Sequence, residues 1–304
     1  MSKATFIFIS CLFLLLPFVL SADKIESSYQ LIICTPFILF LGIPHGAIDN
    51  VLYLRDKRMS NAQFISVYLI IIGLNVLLWW AFPSFSYILF LILSAYHFGQ
   101  SQFNHYFQKQ SIPHLLLFIF WGITILSSLI YFNLDEIYLI MESTPEFAVF
   151  DPLHQRQDML YVLLGSCSIT LFIMLFLAIK RSLMLYDFMI EVLVLALILV
   201  SFYFMPLIIG FTLYFVILHS FKVLREEYGF LAAQKEANSI TQFIKMVAPF
   251  TLFSIAGILI LFAAIYFQFL NLTYGYCLLI VISSITLPHV YVMNKFYLIF
   301  RGVK

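Results

Sequence analysis

Ten stretches of roughly 20 mostly apolar residues follow one another along this chain. They run over about 4–21, 29–53, 62–82, 84–103, 113–132, 159–179, 184–204, 206–224, 246–268 and 274–293. At about 1.5 Å per residue, each is long enough to cross a hydrocarbon layer about 30 Å thick as a helix. Inside lipid every backbone N–H and C=O must be satisfied within its own segment, so runs of this length have the helix as their solution. Pro206 divides one long apolar stretch into two of these spans, because the residue before a proline is pushed out of the helical region. The whole composition agrees: 63% of the 304 residues are hydrophobic and 10% are charged, against about 25% charged in a soluble domain. The expected fold is all-α, a polytopic transmembrane bundle of about ten helices. Residues 1–304 are expected to form a single integral membrane domain, with no repeat, low-complexity tract or soluble module. Net charge is +1, which argues against the clustered basic surface a nucleic-acid partner would need.

The first span has two readings. Lys3, an apolar stretch and Ser21-Ala22 resemble a signal peptide, but Leu20 is a poor residue three places before a cleavage point. Retention as a helix is the preferred reading. Charge then sets orientation. If ten helices alternate, the inner segments hold Lys3, Arg55, Lys57, Arg58, Lys109, Lys180, Arg181, Lys222, Arg225, Lys235, Lys245, Lys295, Arg301 and Lys304, which is 14 of the 16 basic residues. Lys24 and Arg156 fall outside. Basic residues stay in the cytoplasm, so both termini are expected there, in a bacterial inner membrane. The acidic segment 133–158 is expected outside.

Seven histidines are present, and they separate into two groups. His105 and His154 lie in polar segments and His114 at a helix start, where surface or capping roles suffice. His45, His97, His219 and His289 lie inside the second, fourth, eighth and tenth spans. All four of these spans run from outside to inside. Arg55, Lys109, Lys222 and Lys295 follow them by 10, 12, 3 and 6 residues, so all four fall in the inner half of the bilayer.

An ionisable side chain at that depth is costly and marks a functional site. One such histidine is commonly an interhelical hydrogen bond; four in one layer point to a shared ligand. Imidazole suits zinc, copper, iron and nickel. Cys11, Cys34, Cys167 and Cys277 are too scattered to form a thiolate metal motif. Asp49 follows His45 by four residues, one helical turn, and would orient an imidazole from outside the ligand shell. Glu191 and Asp187, one turn apart in the seventh span, are candidates for the same task, although an interfacial position explains Asp187 equally well.

The motifs Pro44-His45-Gly46-Ala47-Ile48-Asp49, Tyr96-His97-Phe98-Gly99, His219-Ser220 and Pro288-His289 occur in this order. Together they resemble the Brp/Blh family of bacterial and archaeal membrane β-carotene 15,15′-dioxygenases, from the second helix to the last. The resemblance implies an iron(II) enzyme that uses O₂ to split β-carotene centrally into two retinal molecules, which supply rhodopsin-type pumps. It implies His45, His97 and His219 as iron ligands. Members commonly carry a further histidine four residues after the one matching His219; this chain has Val223 there. His289 is then the candidate fourth ligand. A non-catalytic or altered-substrate paralogue that binds carotenoid or retinal is the second reading, favoured by Val223. A metal-ion or small-molecule transporter is the third, although no inverted repeat supports it.

Overall fold

The computed structural model describes residues 3–22, 25–53, 59–107 and 109–300. Lys24, Arg55, Lys57, Arg58, Arg301 and Lys304 lie outside the described residues. Among the described residues the chain is all-helical. The helices are α1 (Lys3–Ser21), α2 (Ser27–Phe37), α3 (Asp49–Tyr53), α4 (Asn61–Ala81), α5 (Pro83–Phe103), α6 (Ile112–Phe132) and α7 (Leu134–Glu142). They continue with α8 (Arg156–Ile179), α9 (Leu185–Phe204), α10 (Leu207–Thr212), α11 (Phe221–Ala233), α12 (Ile240–Tyr266) and α13 (Tyr274–Phe300). Nine helical stretches among the described residues are long and apolar enough to cross a membrane, as a multi-pass membrane protein requires. The remaining expected span, the fourth at 84–103, does form the 21-residue helix α5. It falls short in hydropathy because its C-terminal third carries His97, Gln100, Ser101 and Gln102.

One expected boundary is corrected, and two segments gain detail. The second span is interrupted locally around Pro44: α2 passes into a π-helical turn at Ile38–Gly42 and a 3-10 turn at Ile43–Gly46 before α3 restarts at Asp49. Pro44 removes a donor from the ladder and accounts for the break. The eighth span does not end near residue 224. It is continuous from Leu207 to Ala233, through a π-helical segment Leu213–Ser220 into α11, so the polar residues just after 224 are still helix. The acidic segment 133–158 is also folded, as α7 and a 3-10 helix at Pro145–His154. Leu134 and Phe150 are buried within it.

The helices are assigned to two compact units. The first comprises Met1–Gly42, Ala95–Ile140 and Pro152–Val223. In it α6 packs along α8 and α9, and α1 packs on α9 and on the π-helical segment at 213–220. Phe8 and Leu12 of α1 are buried there with Phe118, Trp121, Met174 and Phe202. Two glycines let backbone meet backbone: a Cβ on Gly99 would lie 1.9 Å from the Phe118 carbonyl oxygen, and one on Gly122 would lie 1.9 Å from that of Ala95. The lower half of α5, which carries His97, is thereby pressed directly against α6.

The second unit comprises Ile43–Ser94, Met141–Asp151 and Leu224–Lys304. Here α4 and α3 pack on α13, and α12 packs on α13 and on the turn at 43–46. Apolar side chains gain little from leaving lipid for protein, so polar contacts and close packing hold such helices together. The buried Asn75 amide donates to Ser283 and Ser284 at 3.2 and 2.9 Å, and the Trp79 indole donates to Ser283 at 2.6 Å. These bonds fix the register of α4 against α13.

Helix ends are closed by an unusual choice of residue. Arg181, Lys235 and Gln268 have φ of 56°, 60° and 62°, in the left-handed region that glycine favours. Each sits where the following N–H reaches back five residues, from Ser182 to Leu177, from Glu236 to Leu231 and from Phe269 to Ala264. These are the closing bonds of a Schellman turn, with long polar side chains in place of glycine.

Candidate metal centre

All four intramembrane histidines are buried, and within each unit two of their rings meet.

In the first unit, the rings of His97 and His219 lie 4.8 Å apart between centroids, at 81° to one another. His97 is presented by α5. His219 comes from the π-helical segment 213–220, whose wider winding is a common device for aiming a side chain at a functional site. The Ser101 hydroxyl lies 2.9 Å from His219 Nδ1. Its one proton is committed to the Phe98 carbonyl at 2.9 Å, so the hydroxyl accepts from His219 Nδ1–H. That tautomer leaves the lone pair on Nε2. Phe215 stacks on His219 at 5.7 Å, and Phe98 meets its edge at 4.8 Å.

In the second unit, His45 and His289 repeat the arrangement, with centroids 4.9 Å apart at 83°. Their ligand nitrogens lie within 4.8 Å of one another. Asp49 oxygens lie 2.9 and 3.1 Å from His289 Nδ1, and the Tyr68 hydroxyl donates to the same carboxylate at 3.0 Å. A carboxylate only accepts, so His289 Nδ1 carries the proton and its Nε2 the lone pair. Gly46 makes the approach possible, because a Cβ there would stand 3.3 Å from His289 Nδ1.

The donor set fits a transition metal. With a metal–nitrogen bond near 2.1 Å, two imidazoles at octahedral to tetrahedral angles place their centroids about 4.5–5.2 Å apart. Both pairs fall in that interval. A metal-bound histidine also ordinarily gives its second N–H to a carboxylate, carbonyl or hydroxyl that fixes the ring. Asp49 does this for His289, and Ser101 for His219.

The other expected site residues are placed as follows. Asp49 follows His45 by one turn in sequence, and the imidazole it bonds is that of His289, 240 residues away. The two oxygens of Glu191 accept from Gln102 at 2.6 Å and from Tyr106 at 2.7 Å. Lys222 donates to the Gln102 carbonyl at 2.7 Å. Burial and the neighbouring Glu191 carboxylate push the Tyr106 hydroxyl well above the usual phenol range, so it stays a donor. Glu191 therefore braces the end of α5 beyond His97 and Ser101.

Among the remaining histidines, His114 closes the start of α6, accepting from the Ser111 N–H at 3.1 Å and bonding Ser182 at 3.0 Å. His105 is exposed. His154, expected near the surface, is buried, and its carbonyl accepts from Tyr138 at 2.7 Å. Val223 is fully buried.

Ser101 and Tyr68 were not singled out as site residues from the sequence. Ser101 had a usable signal, lying one helical turn after His97; Tyr68, within an apolar run, had none.

Comparison with known proteins places these residues in a family context. The family described as "Beta-carotene 15,15'-dioxygenase" matches residues 37–297, a range that holds all four paired histidines, Asp49 and Glu191. A protein named "Beta-carotene 15,15'-dioxygenase" from uncultured marine bacterium 66A03 is 33% identical over 84 residues. The aligned stretch covers 26% of this chain and 30% of that relative. No solved structure matches.

Proposed function

The chain belongs to the β-carotene 15,15′-dioxygenase family, and from that premise we propose that it is an iron-dependent membrane enzyme that cleaves β-carotene centrally with O₂ to give two retinal molecules. The observation that carries the reading is the pair of buried, edge-on imidazoles in each unit, with Nδ1 of His219 and of His289 already committed to Ser101 and Asp49. His45, His97, His219 and His289 would hold iron(II), with Asp49 and Glu191 supporting them from outside. Neutral imidazoles leave the ion its full charge, and the bound ion would supply the O₂ chemistry.

The residues of the chain do the rest. Asp49 and Ser101 fix two ring tautomers. Phe98 and Phe215 give the His219 side an apolar wall, suited to a hydrocarbon that partitions into the bilayer. The reading places the protein in the bacterial inner membrane, with the first span retained and both termini cytoplasmic, and links its product to a retinal-binding rhodopsin.

Coexpression in a β-carotene-producing bacterium tests the activity. Bleaching of the cells with retinal in the extract is the expected outcome. A second reading, a paralogue that binds carotenoid without cleaving it, is favoured by the buried valine at position 223, where no ligand can arise. Unbleached cells from which the purified protein carries bound carotenoid would select that reading over the first.

A further inference from the structure

The residue one turn beyond Val223 on α11 is Glu227, and it is fully buried. Neither of its carboxylate oxygens has a hydrogen-bond partner among the described residues. A carboxylate taken out of water without a partner is among the most costly groups a fold can hold. The groups that act on Glu227 electrostatically make this worse, for they are Asp49 and Glu226, both acidic. Asp49 is the residue that holds Nδ1 of His289. Glu227 thus feels the charge of the carboxylate that holds His289, and among the described residues no basic side chain acts on it. A buried charge of this kind persists when a cation compensates it.

We propose that Glu227 is a carboxylate that balances the charge of the metal which the histidines of the second unit, His45 and His289, would help to hold. The inference rests on the iron reading above. The site then carries less net positive charge than one built from imidazoles alone.

The test uses the full-length protein in detergent, with Glu227→Gln and Glu227→Leu beside wild type. Iron(II) or cobalt(II) affinity is measured by chelator competition, and thermal unfolding is followed without metal. Both variants are expected to bind metal at least about 10-fold more weakly, the scale seen when a supporting group is lost from a metal site. Both are also expected to raise the metal-free Tm, because each removes an uncompensated buried carboxylate. A structural role would move these two readouts together, downward. Wild-type affinity in both variants, or a lower metal-free Tm, overturns the proposal while leaving the iron reading standing. Wild-type protein that binds neither ion overturns both.

Discussion

At the scale of single residues, two kinds of group surround the imidazoles, and they should respond differently to mutation. A ligand leaves a gap in the coordination shell when truncated. Alanine at His45, His97, His219 or His289 is therefore expected to remove most bound iron, measured by elemental analysis of purified protein. Asp49 touches His289 rather than an ion, and Tyr68 keeps its carboxylate in place. Asp49→Asn keeps the shape but removes the anionic acceptor that fixes the Nδ1–H tautomer, so affinity should fall by about 10–100-fold without being abolished. Asp49→Asn protein with wild-type affinity would show that the bond to His289 has no part in metal binding. His289 is the more informative of the four, because the family motif did not assign it as a ligand and its neighbour His45 does have that role by resemblance. A His289→Ala protein that keeps its iron would reduce the site to three histidines.

Individual elements explain how residues far apart in sequence are aimed. The second span is interrupted by π-helical and 3-10 turns around Pro44, and His219 rides on another π-helical segment. Each departure from α-helical winding rotates the residues that follow it, and this is how His45 and His219 face their partners. The glycine contacts set the other half of the geometry. At Gly99 and Gly122 an added methyl would lie 1.9 Å from a backbone carbonyl, and backbone cannot rotate away as a side chain can. Gly99→Ala or Gly122→Ala should cost about 3 kcal/mol or more, the upper part of the range for overpacking, seen as a lower Tm in detergent. Because α5 carries His97, the same variants should also lose metal. Gly165 and Gly229 have open space around their Cα, so alanine there is the matched control and should leave both readouts unchanged.

For the molecule as a whole, the distribution of basic residues makes the strongest statement. Fourteen of 16 fall in segments that ten alternating helices place on one side. Reporter fusions after Lys304 and near Glu142 are expected to report opposite sides of the membrane, with Lys304 cytoplasmic. Reporters that agree with one another would remove the ten-helix topology. The polar Cys-free end of α5 matters here: its mean hydropathy is too low to mark it as a spanning segment by composition, yet its 21 residues are long enough to cross. Its polar residues, among them His97 and Ser101, belong to the candidate metal centre, so the residues proposed for function are the ones that lower the signal by which the span is recognised.

The sequence by itself determined the solvent, the helical class and most of the spans, because these depend on local sums: 20 apolar residues are enough, whatever lies elsewhere. It also marked the four histidines, since an ionisable group in an apolar run is conspicuous one span at a time. Pairing was beyond it. Which imidazole meets which depends on helix rotation, and the breaks at 43–48 and 213–220 change rotation by amounts that residue types do not encode. Asp49 shows the difference most clearly. Counted along a helix it belongs to His45; in the folded second unit it bonds His289, 240 residues on. Glu227 sits in a charged stretch of the sequence, and only the packing of α11 buried it. Local sums fix what a segment is, whereas a partner is fixed by the fold around it.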